Sequence, residues 1–224
     1  KVKPGALPLS YWGIIKKDKS TLKKVSNLKL YKIYTIIFYI FYTSSKVMKK
    51  IQKKDLDLPL SEELCEFVGV IIGDGFTNNY GHHYITQITS HRRLDREYLL
   101  KHIIPKSNKI LNKRARIAEN MNWIRINYYS KKVFLLLTQR FQIPKGKKSK
   151  TVKIPQEILN AKKELLSKTL RGIYDTDGYF YYDKRPMYKK PYPIIDLHMS
   201  NLPLLIQIKE CLLKFNIKST IRTK

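Results

Sequence analysis

The chain has 224 residues, 45 Lys and Arg against 17 Asp and Glu, a net charge of +28 at pH 7 and a hydrophobic share of 43%. That length allows one large domain or two small ones, the apolar content excludes a disordered basic tail, and the charge calls for a polyanion, most commonly nucleic acid. Cys65 and Cys211 stand alone, far apart, which excludes a disulfide framework or a zinc-finger spacing and reads as an intracellular setting, in cytoplasm, nucleoid or organelle.

Residues 1–47, Lys-rich with a single acid, Asp18, and without a clear period before residue 30, read as upstream sequence outside the natural protein or a basic extension, the alternative being a small N-terminal domain. The apolar run Ile33–Tyr42 is half the roughly twenty residues a membrane helix needs, so no membrane partner is expected. From Met48 a first domain is read over 48–143. Ser61 caps a helix in which Leu64, Phe67, Val68, Ile71 and Ile72 recur at three- and four-residue steps. Gly73-Asp74-Gly75 ends it. Phe76–Thr89 reads as two strands around Asn78-Asn79-Tyr80-Gly81. Ser90 then caps a helix from His91 to Ile104, closed by Pro105. Arg114–Ala118 and Trp123–Tyr129 make a second strand pair, and Ser130 caps a helix from Lys131 to Phe141. Pro144–Lys150 is read as a flexible basic linker inside a linker region of 144–154.

The same signals then restart over 155–224. A helix from about Pro155 runs to Tyr174 and ends at Asp177-Gly178. A longer hairpin follows over 179–199, then a helix after Ser200 from about Asn201 to Phe215, and a strand over Ser219–Thr223. The fold class expected is α+β: two pseudo-symmetric α-β-β-α-β-β-α units with antiparallel sheets, the second incomplete.

The two helix ends carry the chemistry. FVGVIIGDG (67–75) and LRGIYDTDG (170–178) align with Gly69 on Gly172 and Asp74 on Asp177. One such end is ordinarily a helix stop and a tight turn. Two, at matched places in a duplicated unit, suggest helices packed side by side through Gly69 and Gly172, with paired carboxylates at one end. Like charges at short range need a cation between them. Mg²⁺ suits two carboxylates, water and a phosphate oxygen, which leads to metal-assisted phosphodiester hydrolysis.

These two motifs resemble the signature helix of the LAGLIDADG homing endonucleases, and the resemblance spans about residues 58–222. It implies saddle-shaped sheets on duplex DNA, a single-chain monomer, Mg²⁺ with Mn²⁺ as substitute, and intron homing. It also implies Asp74 and Asp177 as catalytic metal ligands, helped by the carbonyls of Gly73 and Thr176. The first motif departs at Ile72, where the family name has Asp; the second keeps Asp175. Strand alternation gives DNA-facing candidates His83, Gln87, Arg114, Arg116, Arg125 and Asn127 in the first sheet, with Tyr84, Ile88, Ile124 and Ile126 turned to the core. In the second they are Lys184, Arg185, Lys189, Lys190 and Arg222; the side on which Asp196 and His198 fall stays open. The basic residue that family members hold near each carboxylate is sought at His91 or Lys131. His82-His83 alone is a poor metal site. Two rival functions are an intron RNA maturase and a non-cleaving DNA-binding protein on the same scaffold.

Overall fold

The computed structural model describes residues 56–185 and 190–222, which belong to one compact unit, Ile51–Lys224. The extension over 1–47 and Lys189 lie outside the described residues.

Helix α1 (Glu62–Ile72) starts where Ser61 Oγ accepts the Leu64 amide at 3.3 Å, with Glu62 and Glu63 in its positive first turn. Strands β1 (Gly75–Tyr80) and β2 (His83–His91) pair antiparallel from Gly75↔Ile88 to Tyr80↔His83. The turn is therefore Gly81-His82, three residues later than Asn78-Asn79, and Gly81 takes the positive φ of 58° that such a turn requires. Asn78 and Asn79 are strand residues.

After β2 the chain enters α2 (Arg92–Tyr98), widens into a π-helical turn over Leu99–Ile103, and continues as α3 (Ile104–Leu111). Pro105 thus does not close the helix. The wider turn stands where its ring would meet the preceding carbonyls, and its missing N–H falls at the start of the next segment. Asn112, left-handed at φ 45°, makes the stop.

Strands β3 (Arg116–Glu119) and β4 (Trp123–Tyr128) complete a sheet of order β1-β2-β4-β3. Ile88, Ile124, Ile126 and Tyr128 are fully buried on one side of it. Phe67 meets Tyr128 edge-on at 5.9 Å, and the Tyr128 hydroxyl lies 2.6 Å from Ser107 Oγ. Ser130 caps α4 (Lys131–Leu135), which ends in a second π-helical turn over Leu136–Arg140.

In the second repeat the first helix is two pieces, α5 (Gln156–Leu159) and α6 (Lys163–Asp177). Strands β5 (Gly178–Asp183) and β6 (Tyr192–Leu197) form a two-stranded sheet. Its connection spans 184–191, longer than the first hairpin's, as the sequence suggests. Helix α7 (Leu202–Leu213) is capped by Asn201, whose Oδ1 accepts the Leu204 amide, and not by Ser200. Asn201 also donates to the Val152 carbonyl at 2.7 Å and is buried, so packing selects it over its neighbour. Residues 217–222 form no strand, because no partner lies beside them in the two-stranded sheet. The antiparallel α+β architecture is as the sequence implies. Among the described residues, no helix is long and apolar enough to cross a membrane.

Candidate metal centre and nucleic-acid interface

Helices α1 and α6 touch at their backbones. A Cβ on Gly69 would sit 2.2 Å from the Thr169 carbonyl oxygen and 3.1 Å from the Gly172 Cα. One on Gly172 would sit 2.4 Å from the Glu66 carbonyl oxygen and 2.8 Å from the Val70 nitrogen. Both lie far inside contact distance, so only glycine fits either place. Thr169 Oγ1 donates to the Cys65 carbonyl across the seam at 3.1 Å. On the outer edge Arg171 lies 3.5 Å from Glu66 and donates to Asp175 at 3.3 Å, and the Tyr98 hydroxyl donates to Asp175 at 2.8 Å. Asp175, at the sixth motif position, therefore ties the second motif to the end of α2 in the first repeat.

The seam brings the helix ends together. A Cβ on Gly73 would lie 2.0 Å from Thr176 Oγ1 and 3.1 Å from Asp177 Oδ2, so the second motif's end stands against the first. Asp74 is pushed up to about 6, by burial first, with the negative charges of Asp177 and Asp95 adding to it. The Ser90 hydrogen bond and the Lys148 charge pull the other way. Burial also raises Asp177, opposed by Lys148. Two half-buried carboxylates whose burial opposes ionisation are a donor set suited to a hard divalent cation. Among the described residues, no cluster of three or more His, Cys, Asp or Glu could hold a metal. Any ion here would rest on these two carboxylates, a carbonyl, water and substrate oxygens.

The basic partner of the site is Lys148. It is buried, and its Nζ donates to the carbonyls of Ile72 at 2.5 Å and Gly73 at 2.6 Å. Burial lowers its pKa, while Asp177 and Asp74 hold it up. The stretch read as a flexible linker is thus anchored. Gly146, at φ 74°, turns the chain so that its N–H reaches the Thr77 carbonyl at 2.8 Å, and the amides of Thr151 and Val152 close on the Lys148 carbonyl. The Gly73 carbonyl, proposed from sequence as a metal ligand, has an ammonium as its partner. His91 is exposed on α2's threshold, and Lys131 stands 5.7 Å over the Tyr84 ring; neither occupies the place that Lys148 does.

Ser90 is the other residue missed. Its Oγ lies 2.9 Å from Asp74 Oδ2 and 2.6 Å from Asp95 Oδ2, which also accepts the His91 amide at 3.1 Å. One hydroxyl has one proton, so it donates to one carboxylate at a time. The shorter contact is to Asp95.

The first sheet's register sorts its candidates. Gln87 lies opposite Asn127, and Asn127 opposite Arg116; Arg125 lies opposite Thr89 and Ala118. His83 shares this side with Gln87 by alternation, while Ile88, Ile124 and Ile126 face the core. Asn127 is nevertheless buried. Arg125 stacks 4.0 Å over Trp123, its Nε buried and unpartnered, and Arg116 lies 5.5 Å from the Tyr129 ring. Arg114 lies just before β3, in a cleft with Lys113, Arg116 and Tyr129. In the second repeat, Lys184 and Lys190 are exposed beside the long connection, and Arg222 is exposed beyond α7. Arg185 is held by Asp183, with Nε to Oδ2 at 2.8 Å, and that guanidinium lowers the Asp183 pKa. Asp196 lies opposite Tyr179, which settles its side as that of Tyr179 and Tyr181; His198 is 3.2 Å from it.

Paired glycine-seamed helices ending in carboxylates above antiparallel sheets define the LAGLIDADG homing-endonuclease fold. Residues 164–224 match the family model of the LAGLIDADG-like domain. Among solved structures, the homing endonuclease I-DmoI with DNA and Ca is similar at a TM-score of 0.53 and 17% identity, over 73% of this chain and 76% of that one. I-DmoI with DNA and Mn gives 0.50 at 16%, over 74% and 84%. Mesophilic I-DmoI variants give 0.50 at 15%, over 73% and 76%. At these identities the likeness is one of fold. No curated protein matches the chain. The described residues thus share the fold of these endonucleases, and the segment that carries the second motif matches the LAGLIDADG-like domain.

Proposed function

We propose that the protein is a site-specific double-strand DNA endonuclease that hydrolyses phosphodiester bonds in a long asymmetric target. The observation that carries this reading is the convergence of Asp74, Asp177 and buried Lys148 at the end of the glycine seam. A divalent cation, Mg²⁺ or Mn²⁺, held by Asp74 and Asp177 with the Thr176 carbonyl, would polarise water and neutralise charge on the phosphate. Lys148 holds positive charge in a poorly solvated place, where it stabilises a phosphate more than a surface lysine could. Ser90 holds Asp74 from behind. The sheet side carrying Gln87, Arg116 and Arg125 offers bidentate partners for adenine and guanine edges. The net charge of +28 favours a phosphate backbone.

The solved relatives hold DNA in complexes with Ca or Mn, which is a property of those proteins and supports the same substrate here. The test is cleavage of duplexes selected by the full chain from a randomised library, with Mg²⁺ and with chelator. Cutting that requires the ion and both aspartates supports the reading. Selected binding without any cutting would instead identify a DNA-binding protein on this scaffold.

A further inference from the structure

The two sheets present different chemistry on matched sides. Gly75 pairs with Ile88 directly after Asp74, and Gly178 pairs with Leu197 directly after Asp177. In the first sheet that pair lies on the core side, so the opposite side carries Gln87, Arg116 and Arg125. The corresponding side of the second sheet carries Tyr179 opposite Asp196, Tyr181 opposite Ile194, and Asp183 opposite Tyr192. Tyr179 is 61% exposed. Both carboxylates are engaged, Asp183 by Arg185 and Asp196 by His198. No Lys or Arg stands in β5 or β6, while Lys184 and Lys190 lie exposed at the edge, in the 184–191 connection.

We infer that the second sheet reads its half of the DNA target through apolar contact of Tyr179, Tyr181 and Ile194 with thymine methyl groups. The first sheet reads purine edges by hydrogen bonds. This rests on the DNA-binding reading above. In the major groove, the thymine C5-methyl is the one apolar feature that separates T·A from the other pairs. A ring and a branched aliphatic chain can take it up; they cannot make the bidentate bonds that select guanine or adenine. The spacing fits, since alternate strand residues advance about 6.7 Å, close to the rise of two base steps of about 3.4 Å each. Tyr179 and Tyr181 have ring centroids 5.4 Å apart, so they would contact neighbouring bases and not one base twice. The edge lysines supply phosphate contacts without specifying sequence.

The experiment uses the full chain and a duplex that it selects from a randomised library. Thymines in each half-site are replaced in turn by deoxyuridine, which removes only the methyl. The expected result is about three- to fivefold weaker binding per methyl removed in the half contacted by the second sheet, and little change in the other half. Tyr179→Ser and Ile194→Ser should abolish that uracil effect while leaving selection in the first half intact. Tyr179→Phe should keep it, because the ring and not the hydroxyl makes the contact. Circular dichroism of each variant separates a lost contact from a lost fold. A uracil effect that is absent, or equal in both halves, overturns the inference while leaving DNA binding standing. Selection of no duplex at all would overturn the DNA-binding reading, and this inference with it.

Discussion

Replacing Gly172 with alanine perturbs the protein where structure and chemistry meet. The new Cβ would lie 2.4 Å from the Glu66 carbonyl oxygen, 2.8 Å from the Val70 nitrogen and 3.0 Å from the Gly69 carbonyl carbon. All three are backbone atoms of α1, so no side chain can swing aside. Relief requires the helices to part by about 1 Å, and overpacking of this kind costs about 1–3 kcal/mol. Parting the seam also moves Asp177 away from Asp74. A displacement of about 1 Å at a reacting centre costs of order 100-fold in rate. Urea denaturation and single-turnover cleavage of a selected duplex, run side by side, read the two effects. The expected outcome is a protein that still folds and still binds DNA, destabilised within that range, and cutting at least tenfold more slowly. A Gly172→Ala variant with wild-type stability and wild-type rate would refute the seam as the device that aligns the carboxylates.

Lys148→Met should lower the cleavage rate by about 100-fold, the scale seen when one preorganised donor is lost from a reacting centre, with duplex affinity changed less than tenfold; quench-flow rates and fluorescence anisotropy give the pair. Ser90→Ala removes the 2.9 Å partner of Asp74 and should weaken Mg²⁺ binding, measured by calorimetry, by roughly tenfold, in line with about 1.5 kcal/mol for a hydrogen bond to a charged group. For pH, Asp74 has a folded pKa of about 6, raised above the usual carboxylate value of 3.8. The native state therefore binds this proton more tightly than the unfolded chain, and the stabilisation is fully present below pH 4 and lost as pH rises through 6. Metal-free wild type should accordingly lose melting temperature, relative to Asp74→Asn, between pH 5 and pH 7, and a constant difference across that window would contradict the assignment.

Much of this was legible in the chain itself. The paired glycine-and-aspartate motifs predict the seam because two copies of one nine-residue pattern leave little else that both could do. Period-two alternation correctly separates Ile124 and Ile126 from Arg125 in β4, since one face of that sheet is buried. What escaped has a common cause: it depends on where distant segments cross. Lys148 sits among lysines in a stretch with glycine and proline, and nothing local marks it as buried. Only the turn at Gly146, fastened to Thr77, drives it under the helix ends. Pro105 signals a stop because a proline removes an amide, but the π-helical turn ahead of it makes room. Arg185 is a DNA-facing candidate by its place in the sequence, and only the structure shows that Asp183, two positions earlier, holds it. Ser90 was recognised as a helix-start residue, yet its hydroxyl serves two carboxylates that sequence separates by more than a full strand and turn.

The central claim is that Asp74 and Asp177 form one metal-dependent hydrolytic site. The most direct test is cleavage of a selected supercoiled plasmid by wild type, Asp74→Asn and Asp177→Asn, in Mg²⁺ and in chelator, with duplex affinity measured alongside. The account predicts linear product from wild type in Mg²⁺ alone, and a loss of at least 100-fold in each variant with binding retained. Cleavage that persists in chelator, or that survives either substitution, would contradict it.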